Sequence, residues 1–179
     1  MKEFFLMFAR YNQQANQSMV SIVDKLSNDE REKGRGSYFG SLSGLLRHTL
    51  DVVPFFLNMF KDAVANNAGA VKAIASLEGL AAIPEKGSLT EAQWKQLKAN
   101  FQTADEAYVR FITALSDADL QAPVKIEWYG GNPASVPLSF MLSQFIVHNT
   151  HHRGQVSQIL DELKIDNDYS GIDVAFLPK

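Results

Sequence analysis

Four histidines occur in the chain, and three of them, His148, His151 and His152, fall within one stretch of five residues. Neutral imidazole is a common ligand for zinc, nickel and related ions, so this clustering points first to metal chemistry. On a helix, residues at i and i+4 are offset by only about 40° around the axis, and the rings of His148 and His152 can converge on one point. His151 shares its side of that helix with Gln144, Gln155 and Gln158, so it faces outward or lies behind a ligand. His48, in an earlier segment, stands in register with Gly44, Leu45, Val52, Phe55 and Met59 and is directed toward an apolar interior. Together His48, His148 and His152 could cap one face of a divalent ion and leave a position for water. A hydrogen-bonded histidine cluster is the alternative that spacing leaves open.

Three histidines with an open position could lower the pKa of a bound water toward about 7, or hold a thiolate or an oxyanion. Zincin-type peptide hydrolysis is disfavoured, because that pattern needs a glutamate directly after the first histidine and Asn149 stands there. The 179 residues include no cysteine, which removes disulfides, thiolate zinc ligands and a cysteine nucleophile. Any metal must use His, Asp or Glu. With 17 basic and 20 acidic residues, a formal charge of −3 and no basic stripe, no nucleic-acid partner is expected. No stretch approaches the roughly 20 apolar residues of a membrane span. The run from Phe4 to Ala9 is too short for a signal-peptide core, so a cytoplasmic protein without a membrane partner is expected.

The elements that must position these residues are helical. Four segments repeat apolar side chains at steps of three and four, the spacing that turns one helix face toward partner helices. The first carries Phe5, Phe8, Ala15, Met19, Ile22 and Leu26, with polar Asn12 in the same register. The second, from Ser41, carries Leu42, Leu45, Leu46, Val52, Phe56 and Phe60, and Pro54 should kink or break it. The third carries Trp94, Leu97, Phe101, Ala104, Tyr108, Phe111 and Leu115, with Ser88 and Glu91 at capping-box spacing before it. The fourth opens at Pro137 and continues through Met141, Phe145, His148, His152, Val156, Ile159 and Leu163. Before it, Val124 to Trp128 alternates apolar and charged residues and meets Gly130-Gly131-Asn132-Pro133, which predicts a short hairpin or extended loop. Residues 27 to 40 and 66 to 88 read as connections, with a short helix possible over Val71 to Leu80. The tail after Lys164 is irregular, and Tyr169, Ile172, Val174, Phe176 and Leu177 would let it pack back. These features predict one all-α domain over residues 1–179.

Several segments resemble the DinB-like superfamily of metal-binding four-helix bundles. They are Ala9-Arg10-Tyr11-Asn12 with Ala15-Asn16, Tyr38-Phe39-Gly40-Ser41 leading through Leu45-Leu46-Arg47-His48, and His148-Asn149-Thr150-His151-His152-Arg153-Gly154-Gln155. Tyr169-Ser170-Gly171-Ile172-Asp173 followed by Phe176-Leu177 is similar to the tail of these proteins. The resemblance implies an up-down-down-up bundle, often a homodimer, with a zinc- or nickel-type ion on His48, His148 and His152. Val53 and Gln14 depart from it, where similar proteins frequently carry an acidic and an aromatic residue. Asp51 is near the former position but points in another direction from the helix axis. Relatives include thiol-dependent transferases and isomerases. A metal-dependent enzyme passing a low-molecular-weight thiol to a small electrophilic substrate is therefore the leading expectation. A metal-dependent small-molecule hydrolase and a non-catalytic metal-binding stress protein are the alternatives. Asn12, Asn16 and Arg153 are candidate substrate contacts, Arg153 for an anionic group; Asn12 could instead fix helix register and Arg153 pair with a surface carboxylate.

Overall fold

A computed structural model of the chain describes residues 1–127, 133–169 and 171. Helices dominate, as the periodicity predicts, with one small sheet among the described residues. The α-helices are α1 (Lys2–Val23), α2 (Asn28–Glu32), α3 (Leu42–Met59), α4 (Ala68–Ala75), α5 (Glu91–Ala114) and α6 (Leu138–Glu162). Strands β1 (Pro123–Ile126) and β2 (Ala134–Pro137) pair antiparallel, with Val124 opposite Val136. Trp128 and the turn residues expected at 130 to 132 lie outside the described residues, as do Ser170 and residues 172 to 179 of the tail.

Among the four long helices, α1 packs on α5 and α6, and α3 on the same pair. Their facing stripes make one continuous core in which Met19, Leu46, Trp94, Phe111 and Phe145 are almost wholly enclosed. Burying a side chain of that size contributes about 1.5–3 kcal/mol, so the shared core is what holds the helices that carry the polar site residues. Leu26 and Phe60 fall just beyond the ends of α1 and α3, and Phe55, expected to face inward, is exposed. It lies toward the outer edge of the α3 stripe, whose centre is taken by Leu45, Val52 and Phe56.

The helix ends follow local hydrogen bonding. The capping box of α5 uses Thr90 and Gln93 rather than Ser88 and Glu91: Thr90 accepts from the Gln93 backbone and Gln93 accepts from the Thr90 backbone. This register puts Leu89 and Trp94 at the two positions of a hydrophobic staple, and both are buried. Pro137 ends β2 and caps α6 instead of occupying its first turn. Pro54 neither breaks α3 nor ends it; the helix runs through to Met59. The expected short helix appears as α4, followed by a 3₁₀ turn over Ser76–Gly79. Within the connection at 27 to 40, α2 is an addition, capped where Ser27 accepts from the Glu30 backbone. Arg31, in α2, is 2% exposed, lies over the Trp94 ring and bonds Glu91, which ties this short helix to the start of α5.

Candidate metal centre

Ser41 accepts from the Gly44 backbone and so fixes the start of α3, which places His48 in the second turn of that helix. Across from it, α6 presents His148 and His152 one turn apart. The Nε2 atoms of His48 and His148 each lie 3.2 Å from Nε2 of His152. One nitrogen from each ring falls within 4.8 Å of the other two. Ligands about 2.0–2.1 Å from a tetrahedral ion stand about 3.3–3.4 Å from one another, so the two short separations fit a shared divalent ion.

Hydrogen bonding alone fits this arrangement poorly. His152 Nδ1 lies 2.8 Å from Gln155 Oε1, an oxygen that can only accept, so the ring proton sits on Nδ1 and Nε2 carries a lone pair. That single in-plane lone pair cannot serve two donors well, yet two neighbouring Nε2 atoms approach it equally. Nδ1 of His148 is buried without a hydrogen-bond partner among the described residues. Desolvation lowers the pKa of all three imidazoles, most for His148, which is pushed down to about 4 by burial and by the neighbouring rings. All three are therefore neutral at pH 7, the form that binds a metal. The donor set and its protonation fit a divalent ion.

Other side chains hold the rings in place. Phe39 stacks on His48, with centroids 4.2 Å apart and planes at 20°, and meets His152 edge-on at 5.3 Å. The turn that carries Phe39 is closed by backbone bonds from Arg35 to Gly40 and from Gly40 to Ser37, and it needs positive φ at Gly36 and Gly40. Gly44 lets this turn lie directly on α3, because a Cβ there would collide with the Phe39 carbonyl. Beyond Phe39, a cavity of about 450 Å³ is lined by Tyr38, Arg47, His48, Asp51 and Lys86, among others. Asp51, set apart in the sequence by its direction, thus shares a cavity with His48. Partial desolvation raises its pKa above the ordinary carboxylate value. A second cavity of about 420 Å³ lies on the other flank, where Arg35, Leu45, His151 and Gln155 contribute.

The structure brings together all three histidines singled out as ligands and leaves His151 exposed. Asn12, Asn16 and Arg153 are gathered into a separate, buried cluster. Arg153 Nη1 donates to Asn12 Oδ1 at 2.5 Å and to Asn16 Oδ1 at 3.5 Å. Both asparagine amides donate to Asp105 Oδ1, at 3.4 and 2.9 Å. Arg153 therefore bonds buried asparagines rather than a surface carboxylate. The sequence assigns no role to Gln155, Phe39 or Asp105. Gln155 follows His152 by three, a neighbouring position on a helix, and Asp105 interrupts the apolar stripe of α5 between Phe101 and Tyr108.

No curated protein and no solved structure gives a significant match to the chain. The model of the DinB family matches residues 1–163, a span that includes α1 to α6 and all three clustered histidines. The chain belongs to the DinB family.

Proposed function

We propose that the chain is a metal-dependent enzyme on an up-down-down-up four-helix bundle, in which His48, His148 and His152 hold one zinc- or nickel-type ion for the transfer of a low-molecular-weight thiol to a small electrophile. The observation that carries the metal is the approach of two Nε2 atoms to the one lone pair of a third. For the bundle, support comes from paired contacts. Asp24 meets Trp94 while Asn16 meets Asp105, so α1 and α5 run antiparallel; His48 meets His152 while Phe56 meets Phe145, so α3 and α6 do too.

A divalent ion at this position would favour the thiolate form of a bound thiol, which is the nucleophilic form. The protein's own groups supply orientation. Gln155 accepts the Nδ1 proton of His152 and keeps its Nε2 lone pair directed at the site. Phe39 covers the face of His48 and fixes the plane of that ring. Arg47 and Lys86 give the adjoining cavity two cations, and the exposed ring of Tyr38 gives it an apolar wall. Asp51 and Glu85 line the same cavity, so its walls carry charges of both signs.

Asp51 favours a second outcome, because it places a carboxylate with a raised pKa in the cavity that His48 also lines. There it could accept a proton from an attacking water, giving hydrolysis of a small ester or amide. The two are separated by incubating the metal-loaded protein with common small thiols and an electrophilic acceptor. Thiol transfer predicts conjugation that is lost on chelation and in His148→Ala. Turnover of a small ester that needs Asp51, with no conjugation by any thiol, would establish the hydrolase instead.

A further inference from the structure

Arg153 directly follows His152, but its side chain leaves the histidine cluster for the interior between α1, α5 and α6. It is 4% exposed, and its partners Asn12, Asn16 and Asp105 are 5%, 1% and 2% exposed. Its guanidinium also lies over the Tyr11 ring, 5.1 Å from the centroid, and Nη2 donates to Thr150 Oγ1 at 3.4 Å. Its backbone carbonyl accepts from Tyr169 at 3.3 Å, and Tyr169 in turn accepts from Ser157. One residue of α6 is thus gripped by α1, by α5 through α1, and by the segment after α6.

The order of this network is set by chemistry at one end. Asp105 Oδ1 accepts from both amide nitrogens, whether or not Oδ2 carries a proton. With their nitrogens committed to Asp105, Asn12 and Asn16 must turn their oxygens toward Arg153, which has only donors. An apolar residue at 105 would free both amides to flip and to present nitrogen to a cation. Donation therefore runs from α6 through α1 to α5 without ambiguity.

We propose that Asp105 is a positioning residue for the histidine centre: by fixing the amide orientation of Asn12 and Asn16 it locks Arg153, and through Arg153 the rotational setting of α6 that aims His148 and His152 at His48. This gives Asn12, Asn16 and Arg153 a positioning role, in place of contact with substrate. It rests on the metal site proposed above only in its consequence for metal affinity. A rotation of α6 about its axis moves both imidazoles together, and supporting groups behind metal ligands commonly change affinity by about 10–100-fold.

The test has two arms. In metal-free protein, the imidazole resonances of His148 and His152 are followed by NMR, with exposed His151 as the internal reference. In the second arm, cobalt(II) is titrated and its absorption spectrum recorded. Asp105→Leu is expected to shift the His148 and His152 resonances but not those of His151, to weaken cobalt binding by about tenfold and to alter the spectrum. Asp105→Asn keeps an acceptor oxygen for both amides and is expected to restore the wild-type resonances and affinity. If Asp105→Leu does not fold, Arg153→Lys, which keeps the charge and loses the planar fork, is expected to give the same shifts. Unchanged His148 and His152 resonances in a folded variant would overturn the positioning role. Resonance shifts in a protein that takes up no cobalt would uphold that role and overturn the metal site alone.

Discussion

Two polar clusters meet at His152 and Arg153, adjacent residues of α6, and they are built on opposite principles. Around Arg153, four buried residues order one another through directed hydrogen bonds, and most of their polar atoms are matched. Around His152, three partly or fully buried rings converge on one point, where a single Nε2 lone pair cannot serve two neighbours. Satisfied polar networks in a core hold elements in register, whereas groups left in mutual conflict mark a place where something else binds. The first cluster fastens helices together; the second could hold a metal ion.

The largest expected effect falls on the fastening. Arg153→Ala strips Asn12 and Asn16 of their donor and leaves two buried amide oxygens unsatisfied, at about 1–3 kcal/mol each, which should lower stability by several kcal/mol in urea unfolding. A loss under about 1 kcal/mol would show that the buried cluster does not fasten the helices. At the other cluster, Gln155→Leu should leave unfolding nearly unchanged but weaken divalent-ion binding by about 10–100-fold in a calorimetric titration, since His152 loses the group that sets its tautomer. Equal affinity in that variant would remove Gln155 from the site.

The pH response sharpens the same contrast. Burial pushes the Asp105 carboxyl up to about 8, against the opposing effects of its bond from Asn16 and the charge of Arg153. A carboxyl with a raised folded-state pKa binds more protons in the folded chain than in the unfolded one between its two pKa values. Its contribution to stability should therefore fall as pH rises from about 4 to about 8. Asp105→Asn should flatten that part of the profile, and an unchanged slope would place the titration elsewhere. The smallest effect is expected for His148→Ala in metal-free protein: this ring has an unpartnered Nδ1 and a contested Nε2, so unfolding should shift by less than about 1 kcal/mol.

Much of the scaffold was legible in residue spacing. The stripe from Trp94 to Leu115 is buried throughout, and His48, His148 and His152 were found as histidines placed on otherwise apolar stripes. Exact helix starts were less legible, because Ser88-Glu91 and Thr90-Gln93 share one spacing, and the packing of Leu89 and Trp94 decides between them. The bond from His152 to Gln155 was not legible for a different reason. The backbone position of Gln155 faces outward, but long helical side chains lean back toward the preceding turn, and there it reaches His152. The link from Asp105 through Asn12 and Asn16 to Arg153 joins residues far apart in sequence, and only the approach of three helices reveals it.

The most direct test of a three-histidine metal centre is the metal content of chelated, reloaded and desalted protein, measured by elemental analysis beside His48→Ala, His148→Ala, His152→Ala and His151→Ala. One divalent ion per chain is expected in the wild type and in His151→Ala, and none in the other three variants. Retention of the ion in folded His48→Ala, His148→Ala and His152→Ala, or no ion in the wild type, would contradict it.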